Sequence, residues 1–178
     1  IPFPAGISRE RFESEHCDQE IVFYPTTTSC AGWHTYTESP ANAAKLRQIL
    51  DGLTAGTYVT PEVTAGETLF TFTGGTLATA FNDMVELFNA MRVKNDGVID
   101  ADDDSLTWTT SVVVYDEDCA VNPTGAVTIL GFATATITEV TTSPSNTIKA
   151  VIKCEFTEPG RGGGGSFGTL GSIPGLVQ

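Results

Sequence analysis

Between residues 126 and 140 the apolar side chains Val127, Ile129, Phe132, Ala133, Ala135 and Ile137 interleave with threonines, and no other feature constrains the fold as much. Such alternation puts one set of side chains on each face of a β-strand, whereas a helix would scatter them around its axis. Gly131 falls inside the run, where it marks a bulge or a close backbone approach. Shorter β-prone runs occur at 20–24, 30–36, 57–60, 68–72, 106–115 and 147–156, punctuated by Pro25, Pro61, Gly66, Gly74-Gly75 and Pro144.

Two segments change period. Ala43, Ala44, Leu46, Ile49, Leu50 and Leu53 recur at helical spacing behind Ser39-Pro40, which reads as an N-cap with proline in the first turn, and Gly52 and Gly56 end the pattern. A second helix is expected over 77–92, with Phe81, Met84, Val85, Phe88 and Met91 along one face. The first sixteen residues read as an extended lead-in followed by a turn or short helix through Arg9, Glu10 and Arg11. The fold class is therefore α+β, mainly β: an antiparallel β-sheet or sandwich with about two short helices and a Gly-rich C-terminal tail. We expect one domain over 1–158 and a linker plus apolar tail over 159–178, where the composition shifts to glycine.

Charge narrows the partners. Asp and Glu number 22 against 9 Lys and Arg, a formal net charge of -13, which repels nucleic acid and anionic lipid. Such a surface suits basic proteins or divalent cations, and its commonest role is solubility. No run of about 18 apolar residues is present, so nothing here reads as a membrane span. The opening Ile1-Pro2-Phe3-Pro4 resembles neither a signal peptide nor a translational start, and we expect any export signal or anchor to lie upstream.

The four cysteines, Cys17, Cys30, Cys119 and Cys154, lack the C-x-x-C pairs of zinc or redox sites and read as disulfides, hence an address outside the cytoplasm. Three connectivities are open. Chain proximity favours Cys17–Cys30 with Cys119–Cys154.

Chemistry-bearing constellations are sparse. Asp96, Asp100, Asp102 and Asp104 supply hard oxygens of the kind calcium takes. Counting from Asp100, however, Ser105 stands where an EF-hand needs glycine and Ser111 where it needs glutamate, leaving a loose calcium loop or a solvated acidic turn. His16 and His34 sit in no metal or nucleophile spacing; His34, beside Trp33, reads as a turn residue, and a hydrolase would need one of the two joined to an acid or a nucleophile. Asp116-Glu117-Asp118 reads as a charged turn, and Gly74-Gly75-Thr76 lacks the lysine of a phosphate loop. No catalytic motif remains, so a non-enzyme is expected. After the flexible stretch 160–166, the apolar Phe167, Leu170, Ile173, Leu176 and Val177 could dock on the domain itself or add a strand to a neighbour's sheet edge.

Several of these residues together resemble a known family: Cys17, Ala31-Gly32-Trp33-His34, Gly74-Gly75, Cys119, Asn122-Pro123-Thr124-Gly125 with Ile129-Leu130-Gly131-Phe132-Ala133, and the ending Gly168-Thr169-Leu170-Gly171-Ser172-Ile173-Pro174-Gly175-Leu176-Val177. They resemble the extracytoplasmic part of TadG-like proteins, linked to tight-adherence (Flp) pilus assembly in bacteria. The resemblance spans most of the chain and is most specific from Cys119 onward. It implies an upstream membrane anchor, an exported portion and no catalytic residues. The Asp-x-Ser-x-Ser metal site that some relatives carry in a von Willebrand A domain is absent here. The expected function is a structural or assembly component of a bacterial surface appendage, or a polymerising subunit of it, with protein partners: further copies or other appendage subunits. The alternative is a calcium-dependent extracellular binding or adhesion module.

Overall fold

The computed structural model describes residues 3–14, 18–22, 30–74, 77–96, 106–119 and 122–153. The long alternating run becomes one 17-residue strand, Gly125–Thr141, and the rest of the fold is arranged around it. In chain order the elements are β1 (Ala5–Ser8), α1 (Arg9–Ser14), β2 (Glu20–Val22), β3 (Ala31–His34), α2 (Ala43–Ala55), β4 (Leu69–Thr73), α3 (Ala78–Asp96), β5 (Trp108–Tyr115), β6 (Gly125–Thr141) and β7 (Thr147–Lys153). The α+β, mainly β expectation holds as a single seven-stranded sheet, antiparallel except where β1 runs parallel to β5.

The pairings return on themselves. β6 uses its first residues to pair with β4, and β4 leads through β3 and β1 to β5. β5 then pairs back onto β6 from Trp108↔Ile137 to Tyr115↔Ile129. Five strands thus form a closed ladder, and closure removes the open edges that would invite pairing with other chains. The far half of β6 carries β7 on its other side, and β2 lies outside β7 as the outermost strand among the described residues.

The pairing of β6 with β5 shifts register beside Gly131. Val114 faces Gly131 but Tyr115 faces Ile129, so Leu130 is an extra residue, the bulge that the glycine signalled. A second irregularity, between Ile137 and Glu139 against β7, had no glycine to announce it.

Both helices pack where their periodicity directs. α2 buries Leu46, Ile49, Leu50 and Leu53, each worth about 1.5–3 kcal/mol when removed from water. α3 buries four of the five expected residues, Phe81, Met84, Phe88 and Met91, together with Ala80 and Leu87, while Val85 is partly covered against the same core. Trp33 of β3 meets Phe81 of α3 edge-on at 6.0 Å and ties sheet to helix. The buried face of α2 has the core as its partner, and Arg47 of α2 and Asp83 of α3 add an ion pair at 2.6 Å.

Two local expectations are corrected. The α2 cap is Asn42, whose side chain accepts the Lys45 N–H at 2.9 Å; Ser39-Pro40 lies outside the helix. Gly52 sits within α2, and Gly56, at φ 74°, is the residue that ends it in the left-handed conformation. Residues 57–60 form no strand: Val59 is 88% exposed and Tyr58 turns back toward α2.

Candidate functional site

Side chains from four elements meet where β1 runs into α1. Ser8, the last residue of β1, accepts the Arg11 N–H on its Oγ at 3.0 Å and so caps α1. The same hydroxyl lies 3.3 Å from the Sγ of Cys119, just beyond β5, and the Cys119 N–H donates to Glu10 Oε2 at 2.9 Å. Arg9 pairs with Asp116 at 2.8 Å, which places part of the expected charged turn in this seam. From the other side, the Ser8 N–H donates to the carbonyl of Cys30 at 2.9 Å.

Cys30 and Cys119 are joined by a disulfide with a Cα–Cα distance of 4.6 Å. This overturns the expected Cys17–Cys30 and Cys119–Cys154 set. Chain proximity measures only the entropy of closing a loop; here β1 lies beside both β3 and β5, so the start of one and the end of the other become neighbours across 89 residues. Cys17 and Cys154 lie outside the described residues.

Of the residues that carry the family resemblance, Gly32, Gly74, Asn122 and Pro123 meet in close contacts, while Cys17, Gly75 and residues 168–177 lie outside the described residues. A Cβ on Gly32 would stand 2.3 Å from Pro123 Cγ, and one on Gly74 would stand 2.9 Å from Asn122 Cβ. Gly32, Gly74, Asn122 and Pro123 are therefore packed together across β3, the end of β4 and the start of β6, with Gly131 at the bulge farther along. Their pattern is one of close approach.

His34 lies in the core within β3, contrary to the turn expected of it. Its Nδ1 accepts the Tyr36 N–H at 3.3 Å, and its ring stands 4.7 Å from Tyr36, 4.8 Å from Phe70 and 5.5 Å from Phe72. Burial pushes the imidazole down to about 3, opposed only in part by the backbone of Phe3. A neutral imidazole sealed among aromatic rings has no route to a substrate. His16 lies outside the described residues.

A shallow groove runs beside α2 between Glu38, Lys45, Gln48 and Tyr58. Tyr58 donates to Glu38 Oε1 at 2.7 Å and Lys45 pairs with Oε2 at 3.0 Å, so both carboxylate oxygens are engaged. Those two partners, Tyr58 foremost, hold the Glu38 carboxyl below its ordinary range.

Of the proposed calcium ligands, Asp96 is the last residue of α3, while Asp100, Asp102 and Asp104 lie outside the described residues. Among the described residues no group of three His, Cys, Asp or Glu side chains could hold a metal ion. The apolar tail positions Phe167, Leu170, Ile173, Leu176 and Val177 also lie outside them. No described helix is long and apolar enough to cross a membrane.

Set against protein-family models, curated proteins and solved structures, the chain finds no match in any of the three. The TadG-like resemblance therefore stands on the quoted residues alone.

Proposed function

We propose that this chain is a structural or assembly component of a bacterial cell-surface appendage, working outside the cytoplasm. The observation that carries the reading is the Cys30–Cys119 disulfide, because a bond of this kind persists in oxidising compartments and is rare in the cytosol. It staples the closed ladder at the seam of β1, β3 and β5. The close packing of Gly32 against Pro123 and of Gly74 against Asn122 supports an architectural rather than a reactive role for these residues. Its partners are further copies or other appendage subunits, engaged through Phe167, Leu170, Ile173, Leu176 and Val177 of the apolar tail.

The test uses intact source cells. A membrane-impermeant amine label should reach this chain, and Cys30 and Cys119 should resist alkylation until a reductant is added. A chain that stays unlabelled, with both thiols free, refutes the address. Deletion of residues 168–178 should abolish incorporation into the assembly; unchanged incorporation eliminates the tail as the joining element.

A further inference from the structure

We propose that the groove beside α2 is a binding site for a neutral sugar ring, held between the Tyr58 ring and the polar edge formed by Glu38, Lys45 and Gln48. The groove has a volume of about 240 Å³. That is below the roughly 300–1,000 Å³ of pockets that take drug-sized ligands, so its occupant is a single ring and not an extended chain. Its walls come from three stretches that the fold fixes separately: Glu38 after β3, the face of α2 bearing Lys45 and Gln48, and Tyr58 beyond the end of α2.

The walls are set before any ligand arrives. The Thr57 and Tyr58 N–H groups both donate to the Gly52 carbonyl, at 2.8 and 3.0 Å. The bare Cα of Gly52 lets Tyr58 lie against the helix, since a Cβ there would stand 2.8 Å from Tyr58 Cβ. Tyr36 stacks on Tyr58 at 5.7 Å and 27°. Tyr36 is fully buried and its backbone stands at φ 54°, a left-handed conformation that a bulky residue adopts only where its surroundings impose it, and such outliers gather at ligand clamps. The Tyr58 hydroxyl in turn fixes the Glu38 carboxylate at 2.7 Å. Preorganised walls of this kind reduce the entropy lost on binding.

The hydrogen-bonding capacity left over defines the ligand. Each Glu38 oxygen uses one lone pair, on Tyr58 or on Lys45, and keeps another to accept from a hydroxyl. Lys45 uses two of its three N–H groups, on Glu38 Oε2 and on Gln48 Oε1 at 3.2 Å, which leaves one to donate. The Gln48 amide nitrogen, on a side chain exposed to solvent, offers two more. Donors and acceptors along one edge with an aromatic ring beside them match a sugar, which carries hydroxyls around its rim and C–H groups on its face; those C–H groups suit the negative face of the aromatic ring. Glu38 and Lys45 neutralise each other within the groove, so a charged ligand gains little from either, and the net charge of -13 repels an anionic one.

A shallow groove that covers one ring should bind with a Kd of about a millimolar, and copies repeated along an assembly add to one another by multivalency. Only that last link rests on the proposed function; the site stands without it. The test is an amide chemical-shift titration of the full chain with glucose, galactose, mannose and N-acetylglucosamine, and with glucosamine and galacturonic acid as cationic and anionic comparators. At least one neutral sugar should move the amides of Gln48, Thr57 and Tyr58, and neither comparator should. Gln48→Ala removes an exposed side chain outside the core and should raise the Kd about fivefold at an unchanged melting temperature. Amides that stay still with every neutral sugar, a comparator bound as tightly, or a Kd untouched by Gln48→Ala each overturns the inference, and none of these results bears on the address outside the cytoplasm.

Discussion

The ring of Pro123 occupies the space that any side chain at Gly32 would need, its Cγ only 2.3 Å from where a Cβ would stand. Phe72 closes the same site from another direction at 2.9 Å, so an added methyl group has no room to move aside. Gly32→Ala should destabilise the protein by about 1–3 kcal/mol through overpacking. Adding Pro123→Ala should recover part of that loss, a non-additivity that urea midpoints of the two single variants and the double variant will reveal. A neutral Gly32→Ala would remove the architectural reading of these motif residues.

Reduction should weaken the fold without any mutation. The Cys30–Cys119 bond closes a loop of 89 residues, for which denatured-state entropy gives a stabilisation of about 4.5 kcal/mol. The double variant C30S/C119S should accordingly melt roughly 10 °C lower in a chain of this size. Calorimetry with and without reductant checks this; equal melting temperatures would mean that the seam holds without its staple.

The buried imidazole gives stability a pH dependence of known sign. His34 is held down to about 3 in the fold against 6.5 in the unfolded chain, so between those values the unfolded state binds more protons. Stability is complete above pH 6.5 and falls as the pH is lowered toward 3, at up to about 1.4 kcal/mol per pH unit. Denaturant titrations between pH 6.5 and 5 read this slope above the range of ordinary carboxylates. The His34→Phe variant should lose it, and a slope that survives in the variant would place its origin elsewhere.

Calcium separates the appendage reading from the binding-module reading. We expect millimolar calcium to leave the melting temperature where it is. A ligand at one hundred times its Kd adds about 2.7 kcal/mol of stability, so occupancy of Asp96, Asp100, Asp102 and Asp104 would raise the melting temperature by roughly 5–10 °C. Such a rise, absent when those aspartates become asparagine, would replace the appendage reading with the module.

Legibility in the sequence followed the range of the interactions. β6 and α2 were readable because their apolar side chains recur at the period of a strand and of a helix, even though the middle of β6 is buried on both faces, and Gly131 even located the bulge. Residues 57–60 misled because β-branched composition was read without a partner: Tyr58 turns to Glu38, and Gly52 lets it approach α2. Asn42 displaced Ser39 as the cap through a single side-chain bond, a choice among nearby capping residues that spacing alone does not make. The Cys30–Cys119 pair was hidden for a deeper reason, since it depends on a parallel contact between β1 and β5 that no local pattern encodes. The burial of His34 had the same origin, needing β4 to supply Phe70 and Phe72.

The central claim is best tested by electron microscopy of material sheared from the surface of source cells, with antibody to this chain located by gold label. The account predicts label on filaments or on their basal attachments at the cell surface. Label confined to the cytoplasm, with sheared filaments that lack the chain by mass spectrometry, would contradict it.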